Sequence, residues 1–352
     1  MEYMGLDVHK QYSVACVFNE ESGGTEHYRL MNSRAEFQKL FSLHPEAKVV
    51  MEAGRSSYMV YDTIEDLVSD IQMANPLKVK AIAWAVVKND KVDAETLSKL
   101  RRADVVPQSY LRNKENRELL YLLRQRMFFV KVRTMVKNRI HSLVDRQPEG
   151  VRASKPEVSD LFGNKGKQWL RSLKLSPAEA RMLNEMLAML DFLDAEIASS
   201  NRLLYKVIKE DPIAKRLATI PGIGIFYALL IRAEIGDINR FPDDSKLIAY
   251  AGLAPSLDES GGKSFHGRLP HQCNHWLKWA LIEAVYPAIR KELWLKNRHS
   301  RIARQKDYNT AKVATARLLM TLVYRIWKSE RVYSQEKPLQ GKSKKRMALS
   351  HS

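Results

Sequence analysis

The chain of 352 residues reads as an α/β domain followed by a larger, mostly helical region. Three observations predict this. Residues 1–110 break into short apolar runs with period-two alternation, the signature of strands, interrupted by helical stretches. From residue 111 onward apolar residues recur at spacings of three and four, the signature of helices. The charge changes along the same path. Residues 1–110 carry 13 basic and 16 acidic side chains, residues 111–262 carry 25 and 19, and residues 263–352 carry 20 and 5.

In chain order, residues 2–8, 11–18 and 25–31 are predicted strands. Tyr12, Val14, Cys16 and Phe18 alternate along the second, and Glu21 to Gly24 is a turn. Ser33 is placed to cap a helix reaching about Phe41, with Glu36 completing a capping box. Residues 47–52 form a fourth strand, 57–69 a helix, 70–74 a short strand before Pro76, and 77–87 a helix. A meander followed by βα units makes a mixed sheet with helices.

A long helix is predicted over 114–146, its apolar face supplied by Leu119, Leu122, Leu123, Val130, Val132, Val136, Ile140 and Leu143. Gly150 to Lys167, with Pro156, Gly163 and Gly166, reads as a linker, placed within 147–175. A second long helix starts near Pro177. Leu183, Met186, Leu190, Leu193, Ile197, Ser200, Leu204 and Val207 give it a heptad seam, which fits an antiparallel hairpin with the first helix or a contact between subunits. Residues 216–234 then read as a helix, a Pro221-Gly222-Ile223-Gly224 hairpin and a further helix. Gly222 and Gly224 in such a unit let backbone N–H groups approach a phosphate. Residues 245–252, 273–293 and 308–329 are predicted helices, and 334–352, with Lys342, Lys344, Lys345 and Arg346, a disordered basic tail. The domains expected are therefore 1–110, 111–210, 211–333 and the tail.

A net charge of +18 calls for a polyanionic partner. No apolar run is long enough to span a bilayer, and no signal-peptide pattern opens the chain, so a membrane role is not expected. Cys16 and Cys273 make no disulfide framework, which points to a reducing cytoplasm.

The chemistry-bearing residues are acidic. Asp7 closes the short run Met1–Asp7 and Glu52 the apolar run Lys48–Glu52, while Asp90 and Asp93 stand three apart at the start of a helix, where both can face one way. Carboxylates at the ends of strands lie where α/β sheets bind ligands. Two to four of them suffice for Mg²⁺, which keeps several waters and can polarise a phosphodiester. Far downstream, Ser260 precedes Gly261 and Gly262 on a stretch read as a bent loop, with Lys263 and Arg268 placed to neutralise a phosphate. A serine nucleophile needs a base, a metal or electrostatic help, and Ser-Gly-Gly-Lys by itself is more often the sequence of a flexible loop. His271, Cys273 and His275 are spaced too closely for a usual zinc site. Trp276, Trp279 and Trp294 suit either core packing or stacking on unpaired bases. His9, beside Asp7, reads as a structural imidazole or a proton-transfer aid.

Gly5-Leu6-Asp7, Met51-Glu52-Ala53, Asn89-Asp90 to Asp93-Ala94, Ile220 to Gly224, Tyr250 to Pro255 and Ser260-Gly261-Gly262 occur in that order. The arrangement over residues 1–330 closely resembles the one-ten family of DEDD-type insertion-sequence transposases, which includes Piv-like DNA invertases. The resemblance implies an RNase H-like (RuvC-like) N-terminal domain, a coiled-coil middle and a C-terminal transposase domain with a helix-hairpin-helix-like unit. It implies that Asp7, Glu52, Asp90 and Asp93 hold Mg²⁺ and that Ser260 is the nucleophile, with Ser256 and Ser264 close enough to compete for that role. Donor and target DNA, a noncoding bridge RNA and a dimer or tetramer of the chain are the partners implied. The alternatives are a RuvC-like resolvase or nuclease using metal-activated water, and a non-enzymatic nucleic-acid binding protein.

Overall fold

The computed structural model describes residues 1–82, 89–260 and 263–334, with the backbone alone over 257–260 and 263–266. The chain divides between Arg112 and Asn113 into two compact units.

The first unit runs β1 (Glu2–Val8), β2 (Tyr12–Asn19), β3 (Thr25–Met31), α1 (Arg34–Leu43), β4 (Lys48–Glu52), α2 (Ser57–Ile64), β5 (Ile71–Ala74), α3 (Pro76–Ile82) and α4 (Asp90–Arg102). Its sheet has the order β3-β2-β1-β4-β5. The first three strands form an antiparallel meander, whereas β1–β4 and β4–β5 are parallel and are reached through helices, as parallel pairing requires. Strand alternation gives the sheet two buried faces. Met4, Leu6, Ala15 and Val17 pack under Phe37, Phe41, Val60 and Ile64, and on the other face Val14, Cys16 and Val50 meet Ala94 and Leu97 of α4.

Gly5 sets how closely α4 lies on the sheet. A Cβ there would overlap the backbone carbonyl of Ala94 and crowd the amide of Ser98. Residues Gly5, Asp7, Val50 and Glu52 all belong to the α4 face, so the close approach brings the first turn of α4 over the ends of β1 and β4.

Two predicted features differ here. Helix α2 stops at Ile64 instead of 69: Asp66 is drawn into a forked pair with Arg34, at 2.9 and 2.6 Å, and Asp70 pairs with Arg101, which turns the chain out of the helix. The capping box of α1 is half made. Ser33 accepts from the Glu36 amide, but the Glu36 carboxylate goes to Lys39 and the Ser33 amide to Met31 O. The predicted helix over 77–87 is described to Ile82, and its remainder lies outside the described residues.

The second unit comprises α5 (Lys114–Asp145), α6 (Glu149–Ala153), α7 (Asn164–Ser172), α8 (Pro177–Glu210), α9 (Pro212–Leu217), α10 (Ile225–Ile235), a 3-10 turn (Ile238–Arg240), α11 (Asp244–Tyr250), the hairpin β6 (Leu257–Ser260) and β7 (Lys263–His266), then α12 (His275–Lys291), α13 (Leu293–Gln305) and α14 (Tyr308–Ser329). No helix of the described residues is long and apolar enough to cross a membrane. Helices α5 and α8 are antiparallel neighbours, cross-linked by Arg126–Asn201, Arg133–Asp194 and Gln147–Glu179. The first half of the α8 seam therefore packs within the chain: Leu183, Met186, Leu190 and Leu193 share a core with Val136, Ile140 and Leu143.

Three expectations are corrected in this unit. The buried stripe of α5 passes through Leu120, Leu123, Met127, Val136, Ile140 and Leu143, leaving Leu122 exposed and Leu119, Val130 and Val132 half-buried. An unbroken 3.6-residue period from Leu123 selects Leu120 and Met127, which the predicted face omitted. The stretch read as a linker holds α6 and α7 and buries Leu161, Phe162 and Leu170, with His141 edge-on to Phe162. Helix α13 was not foreseen, and the segment read as a loop around Ser260 is a hairpin. Much of the main core forms around α10, which is buried on nearly every side against α5, α9 and α12. The proposed tail lies outside the described residues, except Ser334.

Candidate functional site

The acids of the first unit converge through strand register. Leu6 pairs with Met51 across the parallel β1–β4 ladder, so Asp7 and Glu52, one residue further, leave the same end of adjacent strands on the α4 face. Asn89 caps α4 by accepting from the Val92 amide at 2.9 Å, which fixes Asp90 and Asp93 in its first turn. A helix N-terminus also favours negative charge.

One further residue joins them. Asp7 Oδ2, His9 Nε2 and Asp90 Oδ2 all lie within 4.8 Å of one another. His9 Nε2 is 3.1 Å from Asp7 Oδ2 and 3.2 Å from Asp90 Oδ2, yet it is buried and out of line for a hydrogen bond to either. The His9 backbone is fixed by its amide bond to Tyr12 O and by Asn32, whose Nδ2 donates to His9 O at 2.8 Å. Tyr12 packs its ring 4.6 Å from the imidazole and donates its hydroxyl to Asp90 Oδ2 at 3.0 Å. That bond, more than partial burial, raises the Tyr12 pKa.

Burial pushes the Asp7 carboxyl above its usual range; neighbouring His9 pulls the other way, and the charges of Asp93 and Asp90 add to the upward push. Asp7 is 19% exposed. A half-buried carboxylate crowded by like charge is stabilised most by a cation. The geometry fits one. Two carboxylate oxygens suit a small divalent ion that keeps water or substrate oxygens elsewhere, and the unaligned His9 nitrogen faces the same point. The structure thus brings Asp7 and Asp90 together with His9, sets Asp93 close enough to act on Asp7 by charge, and puts Glu52 beside Asp7 at the strand end.

The serine lies in the second unit, at the last residue of β6, in register with Lys263. The side chains of Ser260, Lys263 and Ser264 and both residues of the Gly261-Gly262 pair lie outside the described residues; Ser256 and Arg268 are exposed. What is described is the root of the hairpin. The amide of Gly267 donates to Ser256 O at 2.8 Å, and that of Ser256 to Arg268 O at 3.2 Å. Gly252, at φ +66°, presses on Cys273, and the Asn274 amide donates to Tyr250 O. Asn274 Nδ2 donates to Glu234 Oε2 at 2.9 Å and to Tyr250 at 3.2 Å, while Glu234 Oε1 accepts from Arg124 at 2.9 Å. Glu234 is 1% exposed. One buried carboxylate thereby ties together the segments that enter and leave the hairpin.

The remaining predicted contacts are distributed differently. Gly222, at φ +84°, has its missing side chain against Ala284 O and Ala288 of α12, so helix packing demands this glycine. Gly224 is exposed and caps α10, with open space where a side chain would stand. Trp276 and Trp279 are half-buried on the main core, edge to face with one another, and Trp294 donates to Tyr333. Cys273 Sγ is 3.8 Å from His275 Nδ1, and no metal-sized cluster forms there among the described residues.

Comparison with known proteins supplies the context. A family model described as Transposase, of the DEDD IS110 type, matches residues 4–147, and one described as Transposase IS116/IS110/IS902 family matches residues 214–300. The transposase for insertion sequence element IS1111A of Coxiella burnetii is 25% identical over 347 residues, covering 95% of this chain and 91% of its own length. The transposase for insertion sequence element IS1328 of Yersinia enterocolitica is 24% identical over 271 residues, 74% and 76% of the two chains. A DEDD-type domain with this acidic cluster suggests a divalent metal. Two matches of one transposase type, in order and over well more than half of the sequence, establish that the chain belongs to the IS110 family of insertion-sequence transposases.

Proposed function

We propose that the chain cuts and rejoins DNA strands by covalent catalysis, with Ser260 as nucleophile, Mg²⁺ held by Asp7, Glu52, Asp90 and Asp93, and a bridge RNA selecting donor and target. The observation that supports it best is the convergence of Asp7, Asp90 and His9 at the end of β1, on a chain matched by the DEDD-type model. Mg²⁺ at that point supplies polarisation of a nonbridging phosphate oxygen and stabilises charge as the bond order changes. Ser260 Oγ forms a bond to phosphorus, its proton passes to solvent, and the P–O3′ bond breaks. The departing oxygen takes up a proton, leaving a serine–phosphate link and a free 3′-hydroxyl. Lys263 and Arg268 neutralise the phosphate, and the amide at exposed Gly224 and that at Gly222 contact the DNA backbone. Strand exchange needs two or more active sites, so the working form is a homo-oligomer.

The expected result for Ser260→Ala is complete loss of the covalent protein–DNA adduct with DNA binding retained. An adduct that persists in Ser260→Ala removes this serine from the mechanism and favours Ser256 or Ser264. Cleavage without any adduct in the unaltered protein favours the alternative, a resolvase-like nuclease using metal-activated water. Sequencing RNA that co-purifies with the protein tests the guide: a discrete structured species is expected, and bulk cellular RNA contradicts it.

A further inference from the structure

A groove of about 570 Å³ opens beside the acid cluster, lined by Asn89, Asp90 and Lys91 at the start of α4 and by His27 and Arg29 of β3, with Val14 beneath. Strand pairing explains it. His27 lies opposite Cys16 and Arg29 opposite Val14, and both partners pack against Ala94 of α4. His27 and Arg29 therefore rise from the face that α4 covers. Helix α4 packs on β1, β2 and β4, and β3 is the edge strand, so a trough remains between helix and edge.

The trough is cationic where the neighbouring site is acidic. Arg29 and Lys91 are exposed, and among the described residues neither side chain has a hydrogen bond or an ion pair. The Arg29 guanidinium sits 4.1 Å from the centre of the Tyr12 ring. Stacked in this way, a guanidinium keeps its N–H fork free for a phosphate. The same Tyr12 donates to Asp90 Oδ2, so Arg29, Tyr12 and Asp90 form one continuous row leading to the acid cluster. Asp7, Asp90 and Asp93 repel an approaching polyanion, and two unpaired cations beside Asp90 offset that repulsion.

We propose that this groove binds the sugar–phosphate backbone of the nucleic-acid strand adjoining the phosphodiester held at the acids, with Arg29 and Lys91 as phosphate ligands. The inference rests on the reading that the acid cluster handles a phosphodiester. It adds a binding subsite on the edge strand β3.

The test uses the full chain with a photo-crosslinking side chain placed at His27 and short fluorescent single strands of DNA and RNA of matched sequence. Crosslinking to nucleic acid is expected. A preference for DNA is expected of a groove that holds the strand being cut, and a preference for RNA contradicts that assignment. Adding Arg29→Ala and Lys91→Ala should lower the crosslink yield roughly tenfold, and the pair should reduce the salt dependence of binding by about two phosphate contacts. Both side chains are exposed, so an unchanged melting temperature shows that the fold survives. Absence of a crosslink, or a yield indifferent to Arg29 and Lys91, overturns the proposal even where the unaltered protein cleaves DNA. A crosslink without Mg²⁺-dependent cleavage keeps the groove and removes the catalytic reading.

Discussion

Asp7 is the last residue but one of its strand and Ser260 the last of its own, but the two strands are held by different means. β1 lies between β2 and β4 in a five-stranded sheet, with α4 pressed on it at Gly5. β6 pairs only with the four-residue β7 among the described residues. An isolated two-stranded hairpin is marginal in water, so its placement depends on its roots. Those roots are the Ser256–Gly267 and Ser256–Arg268 bonds and, behind them, Asn274, Tyr250 and buried Glu234. The difference teaches where each site is vulnerable: the acids to whatever lifts α4 from the sheet, the serine to changes in a carboxylate remote from it in sequence.

That contrast can be broken from either side. The largest effect is expected from Asp7→Asn, which should lower Mg²⁺-dependent strand cleavage by roughly 10²–10³-fold, as loss of a key electrostatic group does. A cleavage assay on bound DNA checks it, and near-normal cleavage would detach the acids from the chemistry. Next is Glu234→Gln, which leaves Arg124 and Asn274 without their carboxylate and should cost about 2 kcal/mol of stability in denaturant unfolding. If the hairpin account is right, adduct formation slows in Glu234→Gln while metal binding at the acids is unaltered. Gly5→Ala should do the reverse. A Cβ in overlap with the Ala94 carbonyl forces α4 outward at a cost of about 1–3 kcal/mol, and the thermal stabilisation given by divalent metal should shrink.

A smaller effect sharpens the comparison through pH. Asp7 has a raised pKa in the folded protein, so its ionisation opposes folding. Its contribution to stability is fully present below the ordinary value of 3.8 and is lost as pH rises through the raised one. In metal-free protein at neutral pH, Asp7→Asn should therefore melt above the unaltered chain, and the gap should close in acid. Divalent metal should reverse the order. A variant that melts lower throughout would show that Asp7 is held by partners other than a cation.

Much of this was legible in the sequence, for identifiable reasons. Strand alternation in Tyr12 to Phe18 and the three-residue spacing of Asp90 and Asp93 are local signals, and local signals give the sheet, with Asp7 and Glu52 near the ends of two strands and Asp90 and Asp93 in the first turn of α4. His9 was not separable from a structural imidazole, because its position depends on Asn32 holding the β1–β2 turn from 23 residues away. Arg29 carried no signal either, since its role comes from the edge position of β3. Helix α13 escaped notice because it buries few side chains, Leu295 and His299, and begins immediately after Glu292, which also ends α12. The face of α5 is ambiguous at its start because Leu119, Leu120, Leu122 and Leu123 crowd one turn, and only a single period carried on through Met127 separates buried Leu120 and Leu123 from the other two.

The most direct test of the metal site is an anomalous difference map from crystals of the full chain grown with Mn²⁺. The account predicts a peak bounded by Asp7 Oδ2, Asp90 Oδ2 and His9 Nε2, absent in Asp7→Asn. A map without a peak there, from protein that cleaves DNA in the same solution, would contradict it.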